Sequence, residues 1–162
     1  MGKAANSSIS LKQIHVTDNF WNKYVHLVKD VIIPYQWDIL NDKLEDVETS
    51  HCIENFKIAA GEKEGEFQGA VFQDTDVAKW LEAVGFVLNY ERDEKLEELA
   101  DETIELIGRA QQPDGYLNTY FTIKEPDGRW SNLMEGHELY TAGHMIEAAV
   151  ASVSYTHLTL PT

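Results

Sequence analysis

The chain has very little cysteine and no long apolar run. Cys52 is the single cysteine among 162 residues, which excludes an internal disulfide framework and a zinc site built from several cysteines of this chain. No apolar run is long enough to span a bilayer. The N-terminus also lacks an apolar segment after Lys3, which is not typical of a secretory signal. We therefore expect a cytoplasmic protein with no membrane partner.

Basic residues are also scarce. The sequence has 13 Lys and Arg residues against 28 Asp and Glu residues, and its net charge is −15 at pH 7. A surface of this sign repels phosphate backbones, so we expect no nucleic-acid partner. The charge identifies neither a substrate nor an oligomeric state.

Most of the remaining sequence has the apolar spacing of helices. With 43% hydrophobic residues, the chain can form one domain with a core. Alternating residues over 9–16 predict a short N-terminal strand. The spacing then predicts a mainly α fold of antiparallel helix pairs, with helices over about 20–31, 55–60, 74–88, 93–111 and from about 132 to beyond 150.

The two ends of the chain differ from this helical middle. We expect residues 1–8 to form a disordered leader and residues 9–151 to form the helical domain. Residues 152–162 are rich in β-branched residues and turn formers and lack the preceding helical pattern. This segment is predicted to be a non-native tail, with no function for His157.

The last helical segment carries an unusual polar face. His137, Tyr140, His144 and Glu147 are spaced by three, seven and ten residues, so they share one face of a helix. Such a face suits the wall of a pocket that binds hydroxyl groups. The alternative is a pair of partly buried histidines with structural partners, and the pattern leaves both open. The metalloprotease motif is excluded because Thr141 stands where its second histidine is required.

Two other segments are candidates for sugar contacts. Asp74 and Asp76 lie near a predicted helix start, where they either bind sugar hydroxyls or, as we favour, have local roles. In the favoured interpretation Asp74 or Thr75 caps the helix and Asp76 complements its dipole. The segment over 110–119 contains a turn that either presents Tyr116 and Asn118 to a sugar site or only connects a helix to the following loop.

Several segments, in order, resemble glycoside hydrolase family 127, the β-L-arabinofuranosidase-like enzymes. The resemblance spans about residues 9–151. Its motifs are VIIPYQW (31–37), NFKIAAGE (55–62), FQGAVFQDTDV (67–77), AQQPDGYL (110–117), HELY (137–140) and GHMIEAAVA (143–151).

The resemblance implies part of an (α/α)6 barrel, followed in complete members by β-sandwich domains. It implies exo-hydrolysis of β-L-arabinofuranosides with retention of configuration, by a cysteine nucleophile held at a zinc ion and a glutamate acid/base. It also implies a sugar contact by His137, with His144 and Asp74 as neighbouring candidates. Cys52 does not match the family nucleophile, and this chain has no catalytic or metal-binding position.

We therefore expect a fragment of such an enzyme that supplies part of the sugar pocket and is inactive alone. The alternative is a stand-alone helical module that binds carbohydrate or another protein without catalysis. Because fewer than half of the barrel helices are present, we also expect uncovered apolar faces and self-association of the isolated chain.

Overall fold

The structure is a computed structural model that describes residue 9 and residues 11–156. Its regular elements over these residues are all helical. The α-helices are α1 (Asn19–Leu27), α2 (Ile33–Leu40), α3 (Cys52–Ala59), α4 (Asp74–Tyr90), α5 (Glu94–Ala110), α6 (Thr119–Ile123) and α7 (Glu138–Thr156), and short 3-10 helices lie at Leu11–Gln13 and Pro126–Gly128. No helix in this described part is long and apolar enough to cross a bilayer.

The predicted N-terminal strand is wrong. The chain forms a 3-10 turn at Leu11–Gln13 instead, because the described part offers no strand with which it could form a hydrogen-bonded ladder. The apolar residues of the alternation, such as Ile14 and Val16, line a groove with side chains of α1 and α4. The predicted disordered leader over 1–8 lies outside the described residues.

The first long helical segment continues through Pro34. Asp18 caps α1 by accepting hydrogen bonds from the Phe20 and Trp21 amides at 3.1 and 2.8 Å. A π-helical turn over Val28–Ile32 then joins α1 to α2. Proline has no N–H and clashes with the carbonyl four residues earlier. The wider turn before it keeps the chain helical, so Pro34 does not end the helix.

Helix α4 forms the centre of the core. Its apolar stripe is covered by the rest of the chain: Val77 and Val84 are fully buried and Trp80 is 2% exposed. The Trp80 indole donates to the Ile33 carbonyl at 3.1 Å, which ties α4 to α2. This stripe therefore does not contribute to the uncovered apolar surface that the sequence predicts.

Helices α4 and α7 pack side by side and point in the same direction. Near their N-terminal ends the Phe72 and His137 rings lie 5.2 Å apart, while Gly85 meets Ala151 further along. The helix predicted from about residue 132 begins only at Glu138, because the chain turns back at Gly136, whose amide bonds the Asn132 carbonyl.

Helix α7 ends inside the segment that was predicted to be a non-native tail. The helix continues to Thr156, so its last residues include the first part of the 152–162 segment. Residues 157–162, with His157, lie outside the described residues. The non-native origin of the tail stays a prediction.

Candidate functional site

His137 lies directly before the first residue of α7. Its backbone is left-handed, with φ of 52°, and its carbonyl accepts from the Thr141 amide at 2.9 Å. Its Nδ1 lies 2.8 Å from the Glu135 carbonyl. Because a carbonyl can only accept, Nδ1 carries the hydrogen, which leaves Nε2 for another partner. His137 was expected on the helix, and the structure places it one residue before the helix.

The rings of the polar face form a row. The His137 and Tyr140 rings are 6.0 Å apart, the Tyr140 and His144 rings are 4.7 Å apart, and Phe72 flanks His137. Tyr140 is 45% exposed, and the Lys79 amine lies 5.5 Å from the centre of its ring. The structure therefore brings His137, Tyr140 and His144 together, outside the tight apolar core.

His144 and its acidic neighbours form the deeper end of this row. The His144 Nδ1 lies 3.1 Å from the Glu147 carboxylate. Glu82, His144 and Glu147 place one potential metal ligand each within 4.8 Å of one another, the one such group found among the described residues. Glu147 is exposed, and exposed acidic groups often cluster without an ion, so we assign no metal to this group.

Asp74 does not lie on the exposed row. It is 3% exposed, and its two oxygens accept from the Thr119 amide at 2.7 Å and the Thr119 hydroxyl at 2.5 Å. Burial raises the pKa of its carboxyl to about 6, although the Thr119 bonds oppose this rise. The preferred interpretation of Asp74 or Thr75 as the helix cap is wrong, because Gln73 occupies the cap position and both residues lie inside α4. Asp74 instead joins α4 to the start of α6.

Tyr116 and Asn118 are buried rather than presented to a pocket. Tyr116 is 9% exposed and Asn118 is 2% exposed. The Asn118 side chain caps α6 by accepting from the Phe121 amide at 3.1 Å. The Tyr116 hydroxyl donates to the Glu138 carboxylate at 2.5 Å. Burial and this bond to Glu138 raise the pKa of Tyr116.

Sequence reasoning missed the role of Glu138. The residue is 2% exposed, and its second carboxylate oxygen accepts from the Trp130 amide at 2.8 Å. A glutamate in the first helical turn is ordinarily explained by the helix dipole. Both donors to its carboxylate come from outside α7, so no local pattern indicated this arrangement.

Cys52 does not fit the zinc chemistry implied by the family resemblance. It is 1% exposed, its thiol donates to the Gln73 carbonyl at 3.5 Å, and burial raises its pKa to about 11. A metal ligand or nucleophile requires the thiolate. The sequence offers no second cysteine, so no step of a reaction is assigned to zinc in this chain.

The packed helices with a polar row at one end are those of an (α/α)6 barrel, of which this chain forms a part. A family model described as "Beta-L-arabinofuranosidase, GH127 catalytic domain" matches residues 13–160. The chain therefore belongs to the glycoside hydrolase family 127 catalytic domains.

Three relatives illustrate the match. The non-reducing end β-L-arabinofuranosidase of Bifidobacterium longum subsp. longum is 42% identical over 154 residues, covering 85% of this chain and 23% of the relative. A GH127 β-L-arabinofuranosidase structure from Geobacillus stearothermophilus T6 is 63% identical, with a TM-score of 0.87 over 88% of this chain and 22% of that one. Another GH127 β-arabinofuranosidase structure is 32% identical, with a TM-score of 0.81 over 92% and 24%. The chain spans under a quarter of these relatives.

Proposed function

We propose that this chain is part of a retaining exo-glycosidase that hydrolyses β-L-arabinofuranosides, and that it supplies part of the sugar-binding pocket. The observation that carries this proposal is the ring row that begins at His137. Its Nδ1 is occupied by the Glu135 carbonyl, so its Nε2 is left to bind a sugar hydroxyl. Family membership supports the substrate class, and it does not favour a stand-alone module.

The candidate residues have different roles in this proposal. His137 binds a hydroxyl through Nε2. His144 makes a second contact through Nε2, because its Nδ1 is buried 3.1 Å from the Glu147 carboxylate and is not open to a sugar. Asp74 is buried and makes no direct sugar contact in this proposal; it holds Thr119, and so the start of α6, in place. We assign none of these residues to the chemical step.

The remaining groups of the reaction are proposed to lie outside this chain. Retaining hydrolysis requires a nucleophile and an acid/base in one site, and the buried thiol of Cys52 fits neither role. Any zinc of the complete enzyme would need ligands from elsewhere. The proposal includes a cytoplasmic location. It also includes no nucleic-acid partner, because a net charge of −15 repels phosphate backbones.

A chimera tests this function. The matching segment of the Geobacillus stearothermophilus relative is replaced by this chain, and hydrolysis of an aryl β-L-arabinofuranoside is measured. We expect an active chimera whose kcat/KM falls at least about tenfold in His137→Ala, since a lost hydrogen bond to a substrate hydroxyl costs about 1.5 kcal/mol or more. The 162-residue chain alone should release no product.

His26→Ala provides the matched control. His26 is an exposed histidine beside Asp30 on the first helical segment, at 3.8 Å, and it lies outside the ring row. We expect its substitution to leave kcat/KM unchanged. A folded but inactive chimera, or equal losses in both variants, would contradict the proposed function.

A further inference from the structure

Trp130 has an unusual combination of exposure and fixed geometry. Its side chain is 52% exposed, yet its backbone is left-handed, with φ of 61°. A bulky side chain rarely adopts this region, and such residues persist only where surrounding contacts hold them. An exposed tryptophan held in an unfavourable conformation therefore needs an explanation beyond core packing.

Glu138 is the contact that holds it. One oxygen of this buried carboxylate accepts from the Trp130 amide at 2.8 Å, and the other accepts from the Tyr116 hydroxyl at 2.5 Å. Tyr116 in turn supports the indole, because the two rings meet edge to face at 5.4 Å. Arg129 covers the Tyr116 ring, with its guanidinium carbon 4.2 Å from the ring centre. The exposed indole thus rests on a buried polar support.

The same carboxylate ties the Trp130 backbone to the first residue of α7, next to the start of the ring row. Glu138 follows His137 directly in the chain, so the residue that binds the Trp130 amide adjoins the proposed sugar contact. Indole faces are apolar and broad, and the C–H groups of a sugar ring can pack on them while its hydroxyls bind polar neighbours.

We propose that Trp130 is a stacking residue for the furanoside ring bound at His137, and that Glu138 is the positioning residue that holds Trp130 in place. This inference rests on the proposed function and names a residue pair that the ring row does not include. Glu138 touches no sugar; it acts through the Trp130 backbone.

The test is a titration of the 162-residue chain with methyl β-L-arabinofuranoside, followed by NMR. The chain has four tryptophans, and the indole N–H signal missing in Trp130→Phe identifies Trp130. We expect this signal and that of His137 to move with one dissociation constant. The Trp80 signal is the internal control, because its indole is bonded to the Ile33 carbonyl in the core and should not move.

The variants separate positioning from general stability. We expect Trp130→Ala, followed at the His137 ring, to weaken binding by about three- to tenfold. Glu138→Leu removes the acceptor for the Trp130 amide and should have a similar effect. In Trp130→Ala, adding Glu138→Leu should change the affinity no further, since the two residues act as one unit. A purely structural effect would add to the loss.

Two further variants complete the test. Glu138→Gln retains an acceptor for the Trp130 amide and can donate to the Tyr116 oxygen, so it should keep near wild-type affinity. Tyr116→Phe removes the other hydrogen bond to Glu138 while leaving the Trp130 amide bonded, so it should lower stability but preserve affinity. Affinity lost equally in Tyr116→Phe and Glu138→Leu would overturn the positioning role.

The outcomes also distinguish failure of the stacking role of Trp130 from failure of the proposed function. No moving signal in the wild-type chain would overturn the stacking role, while the chimera assay would still decide the proposed function, because this chain supplies only part of the pocket. Movement at His137 with unchanged affinity in Trp130→Ala would overturn the stacking role alone and leave the proposed function standing.

Discussion

The two ends of the α4–α7 pair are built in different ways. Towards the C-terminal end, backbones meet directly: a Cβ added at Gly85 would lie 2.9 Å from the Ala151 carbonyl carbon. Asn89 spans the same place, and its amide lies 3.0 Å from the Gly85 carbonyl. At the N-terminal end, the buried carboxylates of Asp74 and Glu138 each accept a hydrogen bond from outside their own helix, Asp74 from Thr119 at the start of α6 and Glu138 from Trp130 in the loop before α7.

The two ends therefore have different roles: one fixes the spacing of the helices, and the other keeps side chains accessible. Small residues allow a close helix contact that fixes the spacing of the pair, and a packed contact of this kind tolerates no added volume. Buried carboxylates hold irregular backbone near the surface, where side chains such as His137 and Trp130 remain accessible. The C-terminal end therefore sets the distance between the helices, and the N-terminal end carries the residues of the candidate pocket.

The largest expected effect is at the close contact. Gly85→Val places new atoms against the Ala151 backbone, so the helices must move apart, and we expect a loss of about 3 kcal/mol or more of unfolding free energy. Urea denaturation followed by circular dichroism measures this loss. Gly108→Val is the matched control, because Gly108 is a helical glycine with nothing within 4 Å of an added Cβ. Its effect should stay within about 0.5 kcal/mol, and equal losses would remove the distinction between the ends.

The next effect is the pH dependence contributed by Asp74. Its pKa is about 6 in the folded chain and 3.8 in the reference state. The folded state therefore binds the proton more tightly, and the free energy of unfolding decreases as pH rises from about 4 to about 6. The whole contribution is about 3 kcal/mol, and it stays constant above that range.

Asp74→Asn should remove this share of the pH dependence, because an amide mimics the protonated carboxyl and does not titrate. Asp76→Asn is the control, since Asp76 is exposed on the same helix. Urea midpoints between pH 4 and pH 7 provide the measurement. A wild-type slope retained in Asp74→Asn would show that burial of this carboxylate does not govern the pH response.

A substitution on the outer face of α7 should have the smallest effect on stability. Its effect on self-association should be clear. This face carries an apolar stripe whose members are about half exposed or more: Leu139, Ile146, Val150 and Val153. Ile146→Lys should reduce dye binding and self-association while changing unfolding free energy by less than about 0.5 kcal/mol. Glu98→Gln changes the net charge by the same amount at an exposed site of α5, so unchanged association there would assign the effect to the stripe. Sedimentation velocity distinguishes the cases.

The sequence predicted the regular parts of this fold because their causes are local. The apolar spacing of α4 and α5 acts within a few residues. Helix α4 therefore lies where the pattern places it, and its Trp80 is buried. The alternation over 9–16 predicted a strand wrongly, because a strand requires a partner that no local pattern supplies.

The candidate site was predicted only in part, for the same reason. His137, Tyr140 and His144 share a row because they follow one helix or its start. Asp74 bonds Thr119 from 45 residues away, and Glu138 bonds Tyr116 from 22 residues away. These contacts depend on how α6 and the loop before α7 return to the helix pair, and nothing in the spacing of either acid indicates a distant donor.

The π-helical turn over Val28–Ile32 has a consequence for comparing this chain with its relatives. Such a turn bonds each amide to a carbonyl five residues earlier, as Ile33 does with Val28, and so holds one residue more than an α-helical turn. A helix can gain or lose one residue at that position while its two flanks keep their neighbours. An alignment gap of one residue between Val28 and Ile32 would thus mark a local change of winding, with the residues on either side still equivalent.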